Sequence, residues 1–191
     1  QDLWPEIRDI VRNIQAFGCD IYVSTTDSKM INEIRHSFPN ACITIVENRG
    51  RDILPFLSVF DEAYTLGYRA VCKLHSKQSS YREDGNEIRK VLFDRLAGSE
   101  SCVEEILSRF DSDPKLGILV PTGYLIPHTE HNMTYDKELV KELEGLLNFE
   151  FHYSAFPAGS MFWFRPEALA SVRSIKNDVF PVEDGLADGT M

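Results

Sequence analysis

The chain has 191 residues, 43% of them hydrophobic, which is enough for one folded domain with a substantial apolar core. Its formal net charge of -10 disfavours nucleic acid as a main partner, because binding to a phosphate backbone needs a basic surface. No stretch approaches the roughly 18 apolar residues of a membrane span, and the first residues do not have the composition of a targeting signal.

Apolar strands alternate with amphipathic helices up to Pro121. Strands are predicted at 21–25, 42–46, 70–74 and 116–121, and helices at 28–38, 53–67, 86–97 and 99–110. Ser28 is the expected N-cap of the first helix, and Gly67 is expected to end the second. This alternation implies right-handed crossovers and therefore an α/β fold with a mostly parallel, Rossmann-like sheet flanked by helices on both faces.

Beyond Pro121 the pattern changes. A loop precedes a polar helix predicted at 136–147, and residues 156–169 predict an apolar strand that leads into a helix with Pro166 in its first turn. We interpret residues 1–191 as a single domain and expect it to be part of a longer protein, incomplete at its C-terminus.

The stretch Asn48-Arg49-Gly50-Arg51-Asp52, here called the polar loop, interrupts two apolar segments. It follows a predicted strand, and ligands of open parallel sheets bind beyond the carboxyl ends of strands. Gly50 permits a tight turn, and the arginines can bind phosphate or carboxylate oxygens. Two interpretations remain open: a ligand site, or arginines paired with nearby carboxylates and Asp52 as an ordinary N-cap.

A second polar cluster follows the next strand. Lys73, His75 and Lys77 are expected at the same edge as the polar loop. From Arg49 to Arg95 the sequence contains nine Lys or Arg and seven Asp or Glu, so this region has a net positive charge. The two clusters together predict a site for a small anion, with a diphosphate as the candidate. The alternatives are a structural histidine and solvated lysines.

The third cluster is the acidic ending. Glu183, Asp184 and Asp188 lie in a glycine-rich stretch. A carboxylate opposite a cationic pocket can deprotonate a hydroxyl nucleophile as a general base. A solvated acidic loop is the alternative interpretation.

Six ordered motifs of this chain resemble the rhamnan synthesis protein F family: VENRGRDILPFL, CKLHSKQSSYREDG, LAGS, DPKLGILVP, FPAGSMFWFRPEAL and EDGLADGT. LWPEI near the start also fits, so the resemblance covers nearly the whole chain. It implies a GT-A-like nucleotide-sugar fold. It also implies transfer of rhamnose from dTDP-rhamnose to a growing, lipid-linked cell-wall or lipopolysaccharide glycan.

The resemblance implies that residues 1–121 form the nucleotide-sugar-binding half. The donor would then lie against Asn48, Arg49, Gly50, Arg51, Asp52, Lys73, His75 and Lys77. Many GT-A enzymes carry an Asp-x-Asp motif after this strand, where the present chain has Leu74-His75-Ser76-Lys77. We therefore expect no metal cofactor, with cationic side chains stabilising the leaving diphosphate; a divalent metal is the alternative.

The resemblance also implies that residues 122–191 form the acceptor and catalytic half. Glu183 or Asp188 is then the base that activates the acceptor hydroxyl for inverting transfer. Gly159 and Ser160 would allow close approach of the acceptor, and Phe162 or Trp163 would offer an apolar face to a sugar. Core packing of this aromatic strand is the alternative.

Two functions are therefore in competition: an inverting glycosyltransferase, and a catalytically silent module that binds a sugar nucleotide or a glycan. A hydrolase is disfavoured because the sequence has no P-loop, no G-x-S-x-G and no H-E-x-x-H. The expected partners are the donor, a glycan or lipid-linked glycan acceptor and other domains of the parent chain. The four widely spaced cysteines favour reduced thiols in the cytoplasm, at the inner face of the membrane if the acceptor is lipid-linked.

Overall fold

The computed structural model describes residues 3–76, 84–129, 137–151, 155–180 and 182. Its helices are α1 (Trp4–Gln15), α2 (Met30–Ser37), α3 (Ile53–Leu66), α4 (Gly85–Ala97), α5 (Glu100–Ser112) and α6 (Lys137–Leu147). Its strands are β1 (Tyr22–Thr25), β2 (Cys42–Ile45), β3 (Val71–Lys73), β4 (Ile118–Leu119), β5 (Leu125–Pro127), β6 (Ala155–Pro157) and β7 (Phe162–Phe164). Short 3-10 helices occupy Ala158–Ser160, Pro166–Ser174 and Asn177–Val179. The mixture of helices and strands that the sequence predicts is confirmed, whereas a large parallel Rossmann-like sheet is not shown among the described residues.

Local sequence signals account for some of the helix ends. Gly67 ends α3 in a left-handed conformation with φ of 70°, as predicted. Ser99 accepts a hydrogen bond from the Cys102 amide and caps α5. The prediction of a Ser28 cap is wrong, because α2 begins at Met30 and the Asp27 carboxylate accepts the amide of Lys29, the residue before the helix.

The described strands form three small sheets rather than one large parallel sheet. β1 pairs with β2 in parallel, and β5 pairs with β6 antiparallel. β7 lies between β3 and β4 and is antiparallel to both. The sequence did not predict this insertion, because a short strand that is apolar on both faces has the same pattern in parallel and antiparallel settings. The apolar stretch predicted as one strand is in fact β6, a 3-10 turn and β7.

Side-chain alternation assigns the helices to the two faces of β1. Val23 packs with Trp4 of α1 and Ile34 of α2 in one apolar cluster. Tyr22, the neighbour of Val23, points to the opposite face and lies 3.5 Å from Glu62 of α3 through its hydroxyl. Because successive strand residues face opposite sides, α1 and α2 cover one face of β1 and α3 covers the other.

The sheet of β3, β7 and β4 has the same layering. Cys72 and Trp163 pack into the cluster formed with α4 and α5, which also includes α1 residues. Val71 and Phe164 pack against Phe60 of α3 on the opposite face. Both sheets therefore lie between α1 on one side and α3 on the other. Within the described ranges, no helix combines the length and the apolar character needed to cross a membrane.

Candidate functional site

Three segments of the chain meet at the carboxyl end of β3. Lys73 is the last residue of β3, and Asp52 is the residue before α3. Ser160 ends the 3-10 turn before β7, and the pairing of β3 with β7 sets Lys73 opposite Phe162. The sheet register thus brings the polar loop and this turn to one side chain, that of Lys73.

The ammonium group of Lys73 is buried and bonded to both loops. Its Nζ donates to Asp52 Oδ2 over 2.6 Å, to the Ser160 carbonyl over 2.7 Å and to Ser160 Oγ over 2.8 Å. The rings of Phe56 and Phe162 have centroids 5.5 and 5.8 Å from Nζ, within the range of cation–π attraction. Since an ammonium has three N–H donors, Lys73 here joins two loops rather than presenting charge to a ligand.

The carboxylate of Asp52 is stabilised in its charged form. Burial on its own would raise the pKa of Asp52, but attraction to Lys73 and His75 and hydrogen bonds with Lys73 and Ser160 lower this pKa below its ordinary value. The side chain makes no capping hydrogen bond to α3, so the ordinary N-cap interpretation of Asp52 is wrong. Its partner is a lysine 21 residues further along the chain.

His75 is held between Asp52 and the turn before β7. Its Nε2 lies 2.8 Å from the Gly159 carbonyl oxygen and 3.8 Å from Asp52 Oδ2. A carbonyl oxygen only accepts hydrogen bonds, so Nε2 carries a proton and donates it to Gly159. The hydrogen-bonded histidine of the alternative interpretation is therefore present, at a position that also lines a cavity.

Both loops that the Lys73 side chain joins contain residues with left-handed backbone conformations. In the polar loop φ is 64° at Gly50 and 51° at Arg51, and in the turn it is 79° at Gly159 and 54° at Ser160. A non-glycine residue in this region costs on the order of 1–2 kcal/mol. Arg51 and Ser160 are therefore held in this conformation by their surroundings, a feature that clusters at binding and catalytic sites.

Gly50 is required by packing as well as by its φ. A Cβ atom there would lie 2.7 Å from Leu54 Cβ and 2.8 Å from the ring of Phe180. Contacts this short do not occur between real Cβ atoms, so only glycine fits. The close approach seats the polar loop against the segment that leads to the acidic ending.

Arg49 connects the polar loop to the same segment. It forms an antiparallel β-bridge with Val182, the residue before Glu183. The Nε atom of Arg49 is buried and has no hydrogen-bond partner within the part of the chain that the structure describes. Glu183 and Asp188, the predicted bases, lie outside the described residues, and so does Lys77.

Most of the predicted donor site lines one cavity. The cavity has a volume of about 730 Å³ and lies between β1 and β3. Its wall includes Asn48, Arg51, Asp52, Lys73 and His75. The polar loop and the Lys73–His75 segment thus share one edge of the molecule, as their positions after two strands indicated. Binding of a nucleotide-sugar there stays a prediction.

The residues predicted to contact the acceptor fall in two environments. Gly159 and Ser160 lie beside Lys73 and His75 in the turn before β7. Trp163 is only 2% exposed and donates its Nε1 hydrogen to the Leu96 carbonyl over 2.9 Å. Core packing, the alternative interpretation, therefore describes Trp163, and its contact with an acceptor stays a prediction.

The end of β1 is a part of the cavity wall that was not predicted from the sequence. Ser24, Thr25 and Thr26 line the same cavity as the polar loop. The available signal was their position after an apolar strand, the rule that identified the polar loop. Hydroxyl groups are less conspicuous than arginines, which is why this segment was not singled out.

The described residues at this edge offer few ligands to a divalent metal ion. Such an ion needs several oxygen or unprotonated nitrogen ligands. Asp52 is already bonded to the Lys73 ammonium, which leaves Nδ1 of His75 as the unprotonated nitrogen of that pair. Over the described ranges, no group of three or more His, Cys, Asp or Glu residues is arranged to hold a metal.

Comparison with known proteins gives a family and two relatives. A family model described as rhamnan synthesis protein F matches residues 1–191. Two relatives, each named uncharacterized protein WxcX, come from Xanthomonas campestris pv. campestris strains B100 and ATCC 33913. Each is 36% identical over 151 residues, covering 76% of this chain and 21% of the relative. The chain thus spans about a fifth of the length of these curated relatives. No solved structure matches it.

Proposed function

Since the chain belongs to the rhamnan synthesis protein F family, we propose that it is a GT-A-like domain that transfers a sugar from a nucleotide-sugar donor to a growing glycan. Family membership supports a role in polysaccharide synthesis, and rhamnan as the product favours dTDP-rhamnose as the donor. Transfer to a cell-wall or lipopolysaccharide glycan in the cytoplasm, at the inner face of the membrane, is part of this proposal.

One observation carries the proposal. The polar loop, His75 and the strained turn before β7 meet at the edge of one cavity of about 730 Å³. They lie at the carboxyl ends of the strands, where ligands of open α/β sheets bind. The left-handed backbone at Arg51 and Ser160 and the buried Lys73–Asp52 pair are costly features that a purely structural loop does not need.

The side chains at this edge have distinct roles in the proposed reaction. Arg51 lines the cavity and supplies positive charge for the donor diphosphate, assisted by Arg49 behind it. Lys73 is a positioning residue, because its N–H groups hold Asp52 and Ser160. His75 lines the cavity while its Nε2 fixes the turn.

The chemistry is a single in-line displacement. The acceptor hydroxyl oxygen attacks the anomeric carbon while Glu183 or Asp188 takes its proton. The bond between the anomeric carbon and the phosphate oxygen breaks, and the nucleoside diphosphate leaves with the electron pair. Arg51 stabilises the charge that develops on this leaving group, so the step needs no metal.

The test is release of dTDP by the longer parent protein, supplied with dTDP-rhamnose and a rhamnan primer, with and without EDTA. We expect turnover to survive chelation. Arg51→Gln should lower kcat/KM by about 100-fold, as expected for loss of one charged donor to the leaving group. Arg109→Gln is the matched control, because Arg109 is an exposed arginine on α5 that pairs with Glu105.

Two results would contradict this mechanism. Turnover that disappears with EDTA and returns with Mn²⁺ would mean that a metal stabilises the diphosphate. Equal kcat/KM values for Arg51→Gln and Arg109→Gln would remove Arg51 from the site. Circular dichroism of both variants must match the wild type before the rates are compared.

The second candidate function is a module that binds a sugar nucleotide or a glycan without catalysis. The internal bonding of Lys73 favours it, because one cation of the predicted site is already neutralised by Asp52. A thermal-shift panel of nucleotides and nucleotide-sugars tests binding, since a ligand of the folded state raises Tm by mass action. Raised Tm without dTDP release in the intact parent protein would favour this module.

A further inference from the structure

The cavity separates two strands that each have an open edge. β1 and β3 both line it, whereas no residue of β2 or β4 does. Among the described strands, β1 is hydrogen-bonded only to β2, and β3 only to β7. The order across the molecule is therefore β2, β1, cavity, β3, β7, β4. Unpaired strand edges carry N–H and C=O groups that need partners.

The two open edges are aligned in the same direction. At their amino ends, the hydroxyl groups of Tyr22 and Tyr68 lie 3.2 Å apart. At the carboxyl ends, Asp52, which follows β2, bonds Lys73 at the end of β3. β2 is parallel to β1, so β1 and β3 run alongside each other with the cavity between them.

The cavity has the surroundings of a strand that is buried on both faces. Ile7, Val11 and Ile14 of α1 form one wall, and Val59 and Phe60 of α3 form the opposite wall. A central strand covered by helices on both sides is apolar on both sides. The lining of the cavity therefore matches an extended apolar segment between two open strand edges.

The handedness of crossovers identifies which segment fits. α1 and α2 cover the same face of β1. Crossovers between parallel strands of one sheet are right-handed in nearly all proteins, so two crossovers over the same face move in the same direction across a sheet. α2 leads from β1 to β2, so a strand that precedes α1 must lie on the other side of β1, which is the side of the cavity.

We propose that a β-strand from the part of the protein that precedes residue 1 occupies this cavity, parallel to β1 and β3 and hydrogen-bonded to both. The strand joins the two sheets into one, in the order β2, β1, inserted strand, β3, β7, β4. About four fifths of each curated relative lies outside the match, so such proteins contain ample further chain. The inserted strand has about 4–6 residues and is apolar on both faces.

This strand completes the candidate site as well as the sheet, and the inference does not depend on the proposed reaction. The chain moves one way across the sheet from the inserted strand to β1 and β2, and then returns to β3 on the other side. Ligands of open α/β sheets bind at such a reversal, beyond the carboxyl ends of the strands. Residues that follow the inserted strand therefore line the site between Thr25 and His75.

Native cysteines report on the strand directly. Cys72 and Cys19 line the cavity, whereas Cys42 lies on β2 and is exposed. Maleimide labelling with peptide mapping compares the 1–191 protein with the longer parent protein. We expect Cys72 to label about tenfold or more slowly in the parent protein, because it reacts only on local opening. Cys42 is the matched control and should label equally in both.

Equal labelling of Cys72 in the two proteins would overturn the proposal. A second result would also overturn it. If the donor nucleotide-sugar slows labelling of Cys72 in the 1–191 protein as much as the parent protein does, the occupant of the cavity is a small molecule. Failure of the dTDP-release assay has no bearing on this result, since the labelling needs no turnover.

Hydrogen exchange in the parent protein alone covers the case that the 1–191 protein does not fold. Peptides from β3 should exchange as slowly as peptides from β7, which is paired on both edges. Peptides from β2 give the reference for a strand whose pairing among the described residues is on one edge. Exchange of β3 at the rate of β2 would show that no strand lies beside β3.

Discussion

The two ends of the cavity between β1 and β3 are built in different ways. At the amino end, Tyr22 and Tyr68 are joined through their hydroxyls, and Tyr68 donates to the exposed Asp20 carboxylate over 2.5 Å. At the carboxyl end, a buried ammonium and a carboxylate form the contact, with a separation of 2.6 Å between Lys73 Nζ and Asp52 Oδ2. Hydroxyl groups connect the two sides of the cavity at its amino end, whereas a buried ion pair connects them at its carboxyl end.

Glycines repeat this contrast. Gly67, near the amino end, has φ of 70° and would leave a Cβ atom in open space. Gly50, at the carboxyl end, has φ of 64° and no room for a Cβ atom. The amino end shows that the fold can join these strands without desolvated charge or crowded backbone. The buried charge and the crowded backbone are confined to the carboxyl end, where the candidate site lies, and the following changes test that difference.

The largest effect is expected from Lys73→Met. The change leaves the Asp52 carboxylate buried without its counter-ion, which typically costs about 3–5 kcal/mol. Urea denaturation followed by circular dichroism measures the free energy of unfolding. The double variant Asp52→Asn with Lys73→Met is the control, because it removes both charges and should lose less than Lys73→Met alone. A larger loss in the double variant would show that the ion pair is not the dominant contact.

Gly50→Ala should be next, with a loss of about 2–4 kcal/mol from left-handed strain and overpacking together. Gly67→Ala is the matched control at the other end of the cavity. It has a similar φ and no neighbour within 4 Å, so its loss should stay near the strain alone, about 1–2 kcal/mol. The same denaturation measurement applies, and equal losses would mean that Phe180 and Leu54 do not crowd Gly50.

The lowered pKa of Asp52 predicts a pH effect of known sign. A carboxyl group with a lower pKa in the folded state stabilises the protein above its unfolded pKa, roughly 3.9. This contribution is lost as pH falls through the folded pKa. The difference in free energy of unfolding between wild type and Asp52→Asn should therefore be constant near pH 7 and shrink below about pH 4. A difference that does not change in acid would contradict the assignment.

The smallest effect is expected from Tyr68→Phe at the amino end. It removes hydroxyl hydrogen bonds to Tyr22 and Asp20 in a half-buried setting, which typically costs about 0.5–1.5 kcal/mol. Tyr22→Phe also removes the hydrogen bond between the two tyrosine hydroxyls. The two single variants and the double variant therefore form a double-mutant cycle that measures the coupling energy of this pair. A loss as large as that of Lys73→Met would erase the contrast between the two ends.

Sequence patterns predicted the elements better than their pairing. Hydrophobic periodicity and helix-ending residues such as Gly67 correctly predicted the positions of helices α3, α4, α5 and α6, because these signals are local. Helix α1 was not predicted, although Pro5 in its first turn is a start signal. The antiparallel insertion of β7 depends on contacts between residues about 90 positions apart, such as Cys72 and Trp163. No local pattern encodes that pairing.

The candidate site was predictable in position and less so in bonding. The rule about strand ends brought the polar loop and His75 to one edge. It did not predict that the Lys73 ammonium would donate its hydrogen bonds to Asp52 and Ser160, because these contacts depend on the pairing of β3 with β7. Charge alone made Lys73 look like a ligand-binding residue. In the structure, the register of β3 and β7 makes Lys73 the buried counter-ion of Asp52.

The shared ammonium of Lys73 has a kinetic consequence. The same nitrogen atom holds Asp52 in the polar loop and Ser160 in the turn before β7. A shift of either segment stretches a charged hydrogen bond that also restrains the other. Under the proposed function, with Asp52 on the donor side and Ser160 on the acceptor side, this coupling favours a compulsory order of substrate binding over a random one.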